Sequence, residues 1–326
     1  EQQATIDKLA GEYADELANL GVRVSNLEKK VGNISWAGDA KMMYTNNAEK
    51  TANDTYKGRI RLNVKGQVND STFVKGRILT NMYFKNAKAD DGNTTMDRLF
   101  INHSFGDKTS VVLGRQDLTV FGGLEYDDAF DGAKLAYNDG KFDAYAAFGQ
   151  LNAGKFDSED AAFGGLGYDF GVAKLNAAYF NFAGLDKNTY KFDSIWGANL
   201  VVPVQDFSVF GEYWDSNADK NDSAYQAGLG YSTLDASKPG TFALNVAYNK
   251  VGTDAYLGGT TYDASDFFSA IADGDIADGK DLKFWNVFGD VVLQKNVTLH
   301  GEYAWDIKNA NGYDDNAWTV SLNYAF

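Results

Sequence analysis

Along the segment from Ala317 to Phe326, large apolar side chains stand at every second position (Trp318, Val320, Leu322, Tyr324, Phe326), with small or polar ones between them (Thr319, Ser321, Asn323, Ala325). A period of two gives a strand one apolar and one polar face. The same period runs from Ile34 to the end and predicts strands near 34–45, 57–69, 71–84, 97–105, 109–117, 131–138, 141–149, 161–169, 172–183, 192–202, 206–215, 222–231, 241–250, 282–293, 297–306 and 317–326, sixteen in all. Their connections are of two kinds. Asn69-Asp70, Gly106-Asp107-Lys108, Asn138-Asp139-Gly140, Asp169-Phe170-Gly171, Val202-Pro203-Val204-Gln205 and Gln294-Lys295-Asn296 read as tight turns. Long polar segments such as 46–56, 85–96, 150–160 and 251–281 alternate with them. Short turns at one end and long loops at the other are the asymmetry of an outer-membrane barrel, with the turns periplasmic.

Residues 1–33 follow a different rule. Apolar residues fall at Ala10, Leu17, Val24 and Val31, and again at Ile6, Tyr13, Leu20, Leu27 and Ile34, so the spacing alternates between three and four. That is a coiled-coil seam with a 3.5-residue period, whereas a helix lying on its own globular core drifts towards 3.6. Within it, Arg23-Val24-Ser25-Asn26-Leu27-Glu28 resembles a trimer-specifying motif, in which Arg23 reaches Glu28 of a neighbouring helix. Leu17, Leu20, Arg23, Val24, Leu27 and Glu28 are therefore the expected trimerisation residues. Gly32-Asn33 supplies the stop, and a helix of this span reaches roughly 45–50 Å, the length of a stalk. The expected division is a stalk at 1–33 and a barrel at 34–326.

Composition narrows the class further. Aromatics make up 14% of the chain, with 34 Gly and only 2 Pro, the mix of a closed sheet with aromatic girdles and glycine-relieved curvature. No apolar run approaches the ~18 residues of a transmembrane helix, so a bilayer could be spanned only by a barrel. Zero Cys excludes a disulfide framework and a thiolate metal site, and a net charge of -15 disfavours nucleic acid. A chain that opens on Glu1 without a signal peptide reads as processed or truncated.

The ending Tyr324-Ala325-Phe326 resembles the closing strand of bacterial outer-membrane barrels, which implies that Tyr324 and Phe326 belong to the signal read by the barrel-assembly machinery. Together with Ile34-Ser35-Trp36-Ala37-Gly38-Asp39, Leu113-Gly114-Arg115-Gln116 and Phe130-Asp131-Gly132-Ala133-Lys134-Leu135-Ala136-Tyr137, it is similar to the trimeric general-diffusion porins. The coiled-coil preface narrows the resemblance to the S-layer-homology porins of diderm Firmicutes, the OmpM type. The resemblance implies an all-β transmembrane protein, an antiparallel 16-stranded outer-membrane barrel carrying an α-helical coiled-coil stalk in the periplasm. It also implies a homotrimer that passes small hydrophilic solutes and meets outer-membrane lipid and lipopolysaccharide. In that family an S-layer-homology domain before the coiled coil grips peptidoglycan and tethers the outer membrane. This sequence holds no such domain, so contact with peptidoglycan is expected only through one lying upstream.

The candidate chemistry is a separation of charge. Arg59, Arg61, Lys65, Lys75, Arg77, Arg98 and Arg115 fall in strands two to five, and Arg59, Arg61 and Lys65 alternate with Ile60, Leu62 and Val64. On the lipid face at mid-depth an Arg or Lys costs ~2–4 kcal/mol, so the alternation turns these bases into the lumen. The following segment, Leu118 to Asp131, bends at Gly122-Gly123 and carries Glu125, Asp127, Asp128 and Asp131. Its place matches the third loop of the general porins, which folds inward, and an acidic loop facing a basic wall sets a transverse field across a constriction. The competing reading is a solvated acidic surface loop.

The remaining features add little chemistry. Segment 251–281 carries Asp254, Asp263, Asp266, Asp273, Asp275 and Asp278, but Asp273-Gly274-Asp275-Ile276-Ala277-Asp278-Gly279 departs from the EF-hand order. It predicts no defined metal site and no cofactor beyond weakly bound divalent cations on acidic loops. His103 and His300 read as wall residues, no catalytic motif occurs, and no enzyme is expected. Tyr179, Tyr213, Tyr248, Tyr303 and Trp305 fit an interfacial girdle better than a sugar slide. Two functions stay open, a passive channel and a structural or adhesive barrel that mainly anchors its stalk.

Overall fold

The structure is a computed structural model, and it describes residues 32–85, 88, 90–185, 189–277 and 279–326, together with Tyr13, Ala14, Glu16 and Leu20. Among the described residues the chain forms sixteen strands: β1 (Ile34–Asn46), β2 (Thr55–Asn69), β3 (Thr72–Lys85), β4 (Thr94–Phe105), β5 (Thr109–Thr119), β6 (Asp127–Asn138), β7 (Phe142–Leu151), β8 (Asp160–Asp169), β9 (Lys174–Phe182), β10 (Ser194–Val204), β11 (Phe207–Ser216), β12 (Ser223–Tyr231), β13 (Phe242–Val251), β14 (Leu282–Gln294), β15 (Val297–Lys308) and β16 (Asn316–Ala325). Each strand pairs antiparallel with its sequence neighbours, and β1 pairs with β16, which closes the barrel. Each of the sixteen expected strands is present. A short helix, α1 (Ser269–Asp273), lies within the segment for which the sequence predicts a loop.

Side-chain parity decides which residues meet the inside. On β2 the exposed Ile60 and Val68 share the outer face with Leu62 and Val64, while Arg59, Arg61 and Lys65 take the inner one. Outer faces elsewhere present Leu99, Leu113, Leu135, Phe148 and Leu166, all exposed and apolar. Such a band suits hydrocarbon and not water. The packed core lies inside the barrel, where Phe156, Tyr256, Leu257, Phe267 and Phe268 from two connections join Phe163, Phe180, Trp214 and Phe284 of the wall.

The expected stalk falls mostly outside the described residues, including Leu17, Arg23, Val24, Leu27 and Glu28. Tyr13, Ala14, Glu16 and Leu20 are helical, and both Tyr13 and Leu20 are exposed on this single chain.

The seam is tied at the C-terminus. Gly38 N–H donates to Phe326 O at 2.7 Å, and Phe326 N–H returns to Gly38 O at 2.9 Å. A Cβ on Gly38 would sit 2.5 Å from the Phe326 ring and 2.9 Å from the Arg61 carbonyl oxygen, so only glycine lets the terminal ring lie over β1. We expect Gly38→Val to displace that ring at a cost of roughly 1–3 kcal/mol. The thermal midpoint of the heat-dependent shift in electrophoretic mobility should fall, and an unchanged midpoint would remove the seam's reliance on this contact.

Candidate functional site in the barrel lumen

The lumen is built first by β1 to β4, whose inner faces carry most of the bases. On β2, Arg61 Nε donates to both oxygens of Asp39 on β1 at 2.9 Å, and an Arg59 nitrogen stands 3.7 Å from the same carboxylate. On β3 and β4, Arg77 and Arg98 face each other directly. Two cations in register repel, and the local structure answers with acids. The register slips between Arg77 and Ile78, which leaves Asp97 as the extra residue of a bulge. Arg77 then donates to Asp97 from Nε at 3.0 Å and from a terminal nitrogen at 2.7 Å. Asp117 of β5 completes the cluster, 3.3 Å from Arg77 and 2.7 Å from Arg98 Nε, and Asp128 of β6 lies 3.4 Å from Arg98.

Asp117 and Asp128 reach this wall because the β5–β6 hairpin leaves it. Pairing of β4 with β5 ends at Leu99 opposite Arg115, whereas β5 stays paired with β6 as far as Thr119 opposite Asp127. Beyond that point the connection 120–126 meets the far wall. Gly122 N–H donates to Glu212 of β11 at 3.1 Å, and Phe121 packs on Trp214 with ring centroids 5.0 Å apart. Segment 252–281 also turns inward and bonds to the first connection, Thr261 N–H to Gly123 O at 2.9 Å and Leu257 N–H to Glu125 at 3.2 Å. From there it spans the β1 and β15 sides. Asp263 forms an ion pair with Lys41 on β1, and Ala264 N–H donates to Glu302 on β15 at 2.9 Å. Asp266 accepts the Glu49 N–H at 2.7 Å.

A cavity of about 570 Å3 remains between these parts. Its lining mixes both signs of charge, with Lys41 paired to Asp263 and Arg61 to Asp39, and with Arg59, Asp127, Asp290 and Glu302 around them.

The expected site residues thus divide. Arg59, Arg61, Arg77 and Arg98 lie on the inner wall as described, and Lys75 is on the inner face of β3 opposite Lys65. Arg115 binds Asp131 on the adjacent strand, Nε to Oδ1 at 2.7 Å, so these two neutralise each other locally and do not oppose one another across a gap. Asp127 and Asp128 are on the lumen side, Asp127 holding the Thr119 hydroxyl at 2.5 Å. Glu125 departs from the expectation. Its side chain is fully buried between Leu257 and Glu212 and does not face the basic wall, because 252–281 covers it. The acids of 252–281 separate as well: Asp263 goes to Lys41, Asp266 to the Glu49 backbone, Asp254 stands 3.9 Å from Lys155, and Asp278 lies outside the described residues.

Three features escaped the sequence reading. In sequence 251–281 reads as a long polar segment, although Tyr256, Leu257, Tyr262, Phe267 and Phe268 give it the apolar content of something that packs; all five are buried. Asp39, Asp97 and Asp117 carry the partners of the arginines, and their signal was an acid beside or alternating with each base. His300 lies between Asp290 and Glu302, while His103 bonds Thr72 at 2.8 Å near a tight turn. On the outer face Tyr179, Tyr213 and Tyr303 are exposed, and Trp285 stacks on Trp305 at 6.1 Å and meets Tyr248 at 5.2 Å.

No family model and no curated protein matches the chain in sequence. Solved structures do match in shape. A triple mutant of the Rhodopseudomonas blastica porin superposes with a TM-score of 0.60 at 11% identity, covering 90% of this chain and 100% of its own. The shared feature is the fold. Salmonella typhi OmpF in complex with daunomycin gives 0.58 at 12% identity over 90% of this chain and 98% of its own. A loop-deletion mutant of OmpT, an outer membrane protein of Vibrio cholerae, gives 0.56 at 14% identity over 90% and 99%. The chain is a closed, porin-like barrel of sixteen antiparallel strands.

Burial, with the Glu212 carboxylate beside it, pushes the Glu125 carboxyl well above its ordinary range, against the smaller opposing pull of the Leu257 N–H. Its Oε1 has no hydrogen-bond partner, as suits a neutral acid. An acid raised on folding favours the folded state below its ordinary value of ~4.3, and this contribution is lost as pH rises through the folded value. Glu125→Gln keeps the neutral form at every pH. We expect the variant to raise the thermal midpoint by roughly 2–4 °C at pH 8 and by less at pH 4.5. A lower midpoint at pH 8 would mean that the ionised carboxylate stabilises this contact.

Proposed function

We propose that this chain is a passive diffusion channel for small hydrophilic solutes in a bacterial outer membrane. The observation that carries the reading is a cavity left inside the closed barrel and lined by charges of both signs, Lys41, Arg59 and Arg61 beside Asp39, Asp127 and Asp263. In this reading the β5–β6 hairpin with connection 120–126 forms the constriction, and segment 252–281 supports it from behind. Opposed charges held on a rigid wall give a transverse field, which orients dipolar solutes and penalises apolar ones that must shed water. No catalytic step enters.

Residues 1–33 complete the proposal as a periplasmic coiled-coil stalk of a homotrimer, joined by Leu17, Leu20, Arg23, Val24, Leu27 and Glu28. Tyr324 and Phe326 present the assembly signal, the outer faces meet lipid, and the loop end meets lipopolysaccharide. Tethering to peptidoglycan is proposed only with an S-layer-homology domain upstream. A second reading, a barrel that chiefly anchors the stalk, draws on the filling of the lumen by 120–126 and 252–281; it predicts negligible current in a planar bilayer.

Neutralising the acids that face the bases removes the attraction that concentrates cations. Asp127→Asn/Asp128→Asn should shift the reversal potential in a salt gradient towards anion selectivity, most strongly at low salt, since the screening length at 0.1 M is already ~10 Å. Glu125→Gln, a buried change, should leave the reversal potential where it was. An unmoved potential in the double variant would place the selecting charges elsewhere.

Leu20→Asn/Leu27→Asn should loosen the stalk and leave the barrels associated, because wall contacts form a second interface. Size measurements in detergent with N-terminal cross-linking read both effects. A monomer before any substitution would overturn the trimer.

A further inference from the structure

Segment 252–281 delivers Asp263 to the inner face of β15, where it completes a cluster that the channel reading does not use. Asp263, His300 and Glu302 each offer one ligand atom, and the three atoms lie within 4.8 Å of one another. The placement follows from strand geometry. His300 and Glu302 are two apart on β15 and so share the inner face, and Asp290 is directly opposite His300 on β14. Asp263 is held in reach by its neighbour, since Ala264 N–H donates to Glu302 Oε2 at 2.9 Å.

His300 has a carboxylate on each side. Its Nδ1 is 3.0 Å from Asp290 Oδ1, and its Nε2 is 3.1 Å from Glu302 Oε1. A neutral imidazole carries a single N–H, so one of these contacts sets a nitrogen lone pair against a carboxylate unless a positive species stands between them. That species is either a second proton or a metal ion. Glu302 is nearly buried, which raises the cost of leaving its charge uncompensated. Against three carboxylates, Lys41 is the cation in direct contact, on the Asp263 side, with Arg59 and Lys57 acting on Asp263 from further away.

We propose that Asp263, His300 and Glu302 bind a divalent transition-metal cation of the zinc type. His300 Nε2, a Glu302 oxygen and an Asp263 oxygen are the ligands, and Asp290 is a positioning residue that holds Nδ1–H and thereby turns Nε2 to the metal. One imidazole with two carboxylates suits Zn2+, Co2+ or Ni2+ better than the all-oxygen preference of Ca2+ or Mg2+. The remaining coordination positions open to the lumen cavity that Asp263, His300 and Glu302 all line, where water completes the shell. The ion clips the folded-in segment to β15, and Lys41 is its competitor for Asp263.

This site stands whether or not the barrel conducts, so its test is binding and not current. The probe is ZnCl2 titrated by calorimetry into the whole folded chain in detergent micelles, with CoCl2 followed by visible absorption. One Zn2+ per chain is expected. Affinity should fall by about tenfold or more in His300→Ala, Asp263→Asn and Asp290→Asn, and should rise in Lys41→Gln. Visible Co2+ bands should appear with the wild type and vanish with His300→Ala. Asp263→Asn changes only the loop and keeps the wall intact, so it decides the matter even if the His300 variant fails to fold. Absence of saturable Zn2+ binding would show that a proton alone fills the gap at His300, and equal affinity in Asp263→Asn would place the ion away from this cluster; either result overturns the site.

Discussion

A backbone N–H or C=O left unpaired in hydrocarbon costs several kcal/mol, and no strand of this chain can satisfy its own. The sheet must therefore close, and it does so where β1 meets β16, with Gly38 and Phe326 exchanging both hydrogen bonds at the end of the ladder. Closure fixes every other choice. Once the wall is a ring, alternate side chains have nowhere to go but the inside, and the inside is where Arg59, Arg61, Arg77 and Arg98 are kept off the apolar outer face.

Confining that many cations to one wall creates its own difficulty, and the local structure around Arg77 and Arg98 shows how it is met. A regular ladder would set the two guanidinium groups opposite each other with no acid between. The bulge at Asp97 and the departure of β5 from β4 after Arg115 bring Asp97, Asp117 and Asp128 into the gap. Irregularity in the sheet and neutrality in the lumen are thus one feature. The same departure sends connection 120–126 to Glu212, so the geometry that pairs the arginines also divides the lumen.

Much of this was legible in residue order. Alternation of Arg59 and Arg61 with Ile60 and Leu62 gave both the strand and its facing, because parity is a local property. What parity could not reveal is what happens once a segment leaves the wall. Glu125, Asp127 and Asp128 look equivalent in sequence, yet Glu125 is sealed under Leu257 while the other two remain on the lumen side, since the cover comes from residues far along the chain. The bulge at Asp97 was hidden for a related reason: a single extra residue leaves the apolar period almost unchanged. The inward course of 252–281 was legible in principle from Tyr256, Leu257, Tyr262, Phe267 and Phe268, which a loop in water has no reason to carry.

That inward segment touches β1 through Lys41, the connection just after β1 through Glu49, and β15 through Glu302, and β1 and β15 are the two strands on either side of β16. It lies behind the seam as a strap lies behind a door. Parting β1 from β16 sideways would strip the ladder and also pull Asp263 from Lys41 or Ala264 from Glu302. The wall is thereby latched from within against sideways opening, so a local loosening of the β1–β16 ladder does not by itself part these two strands.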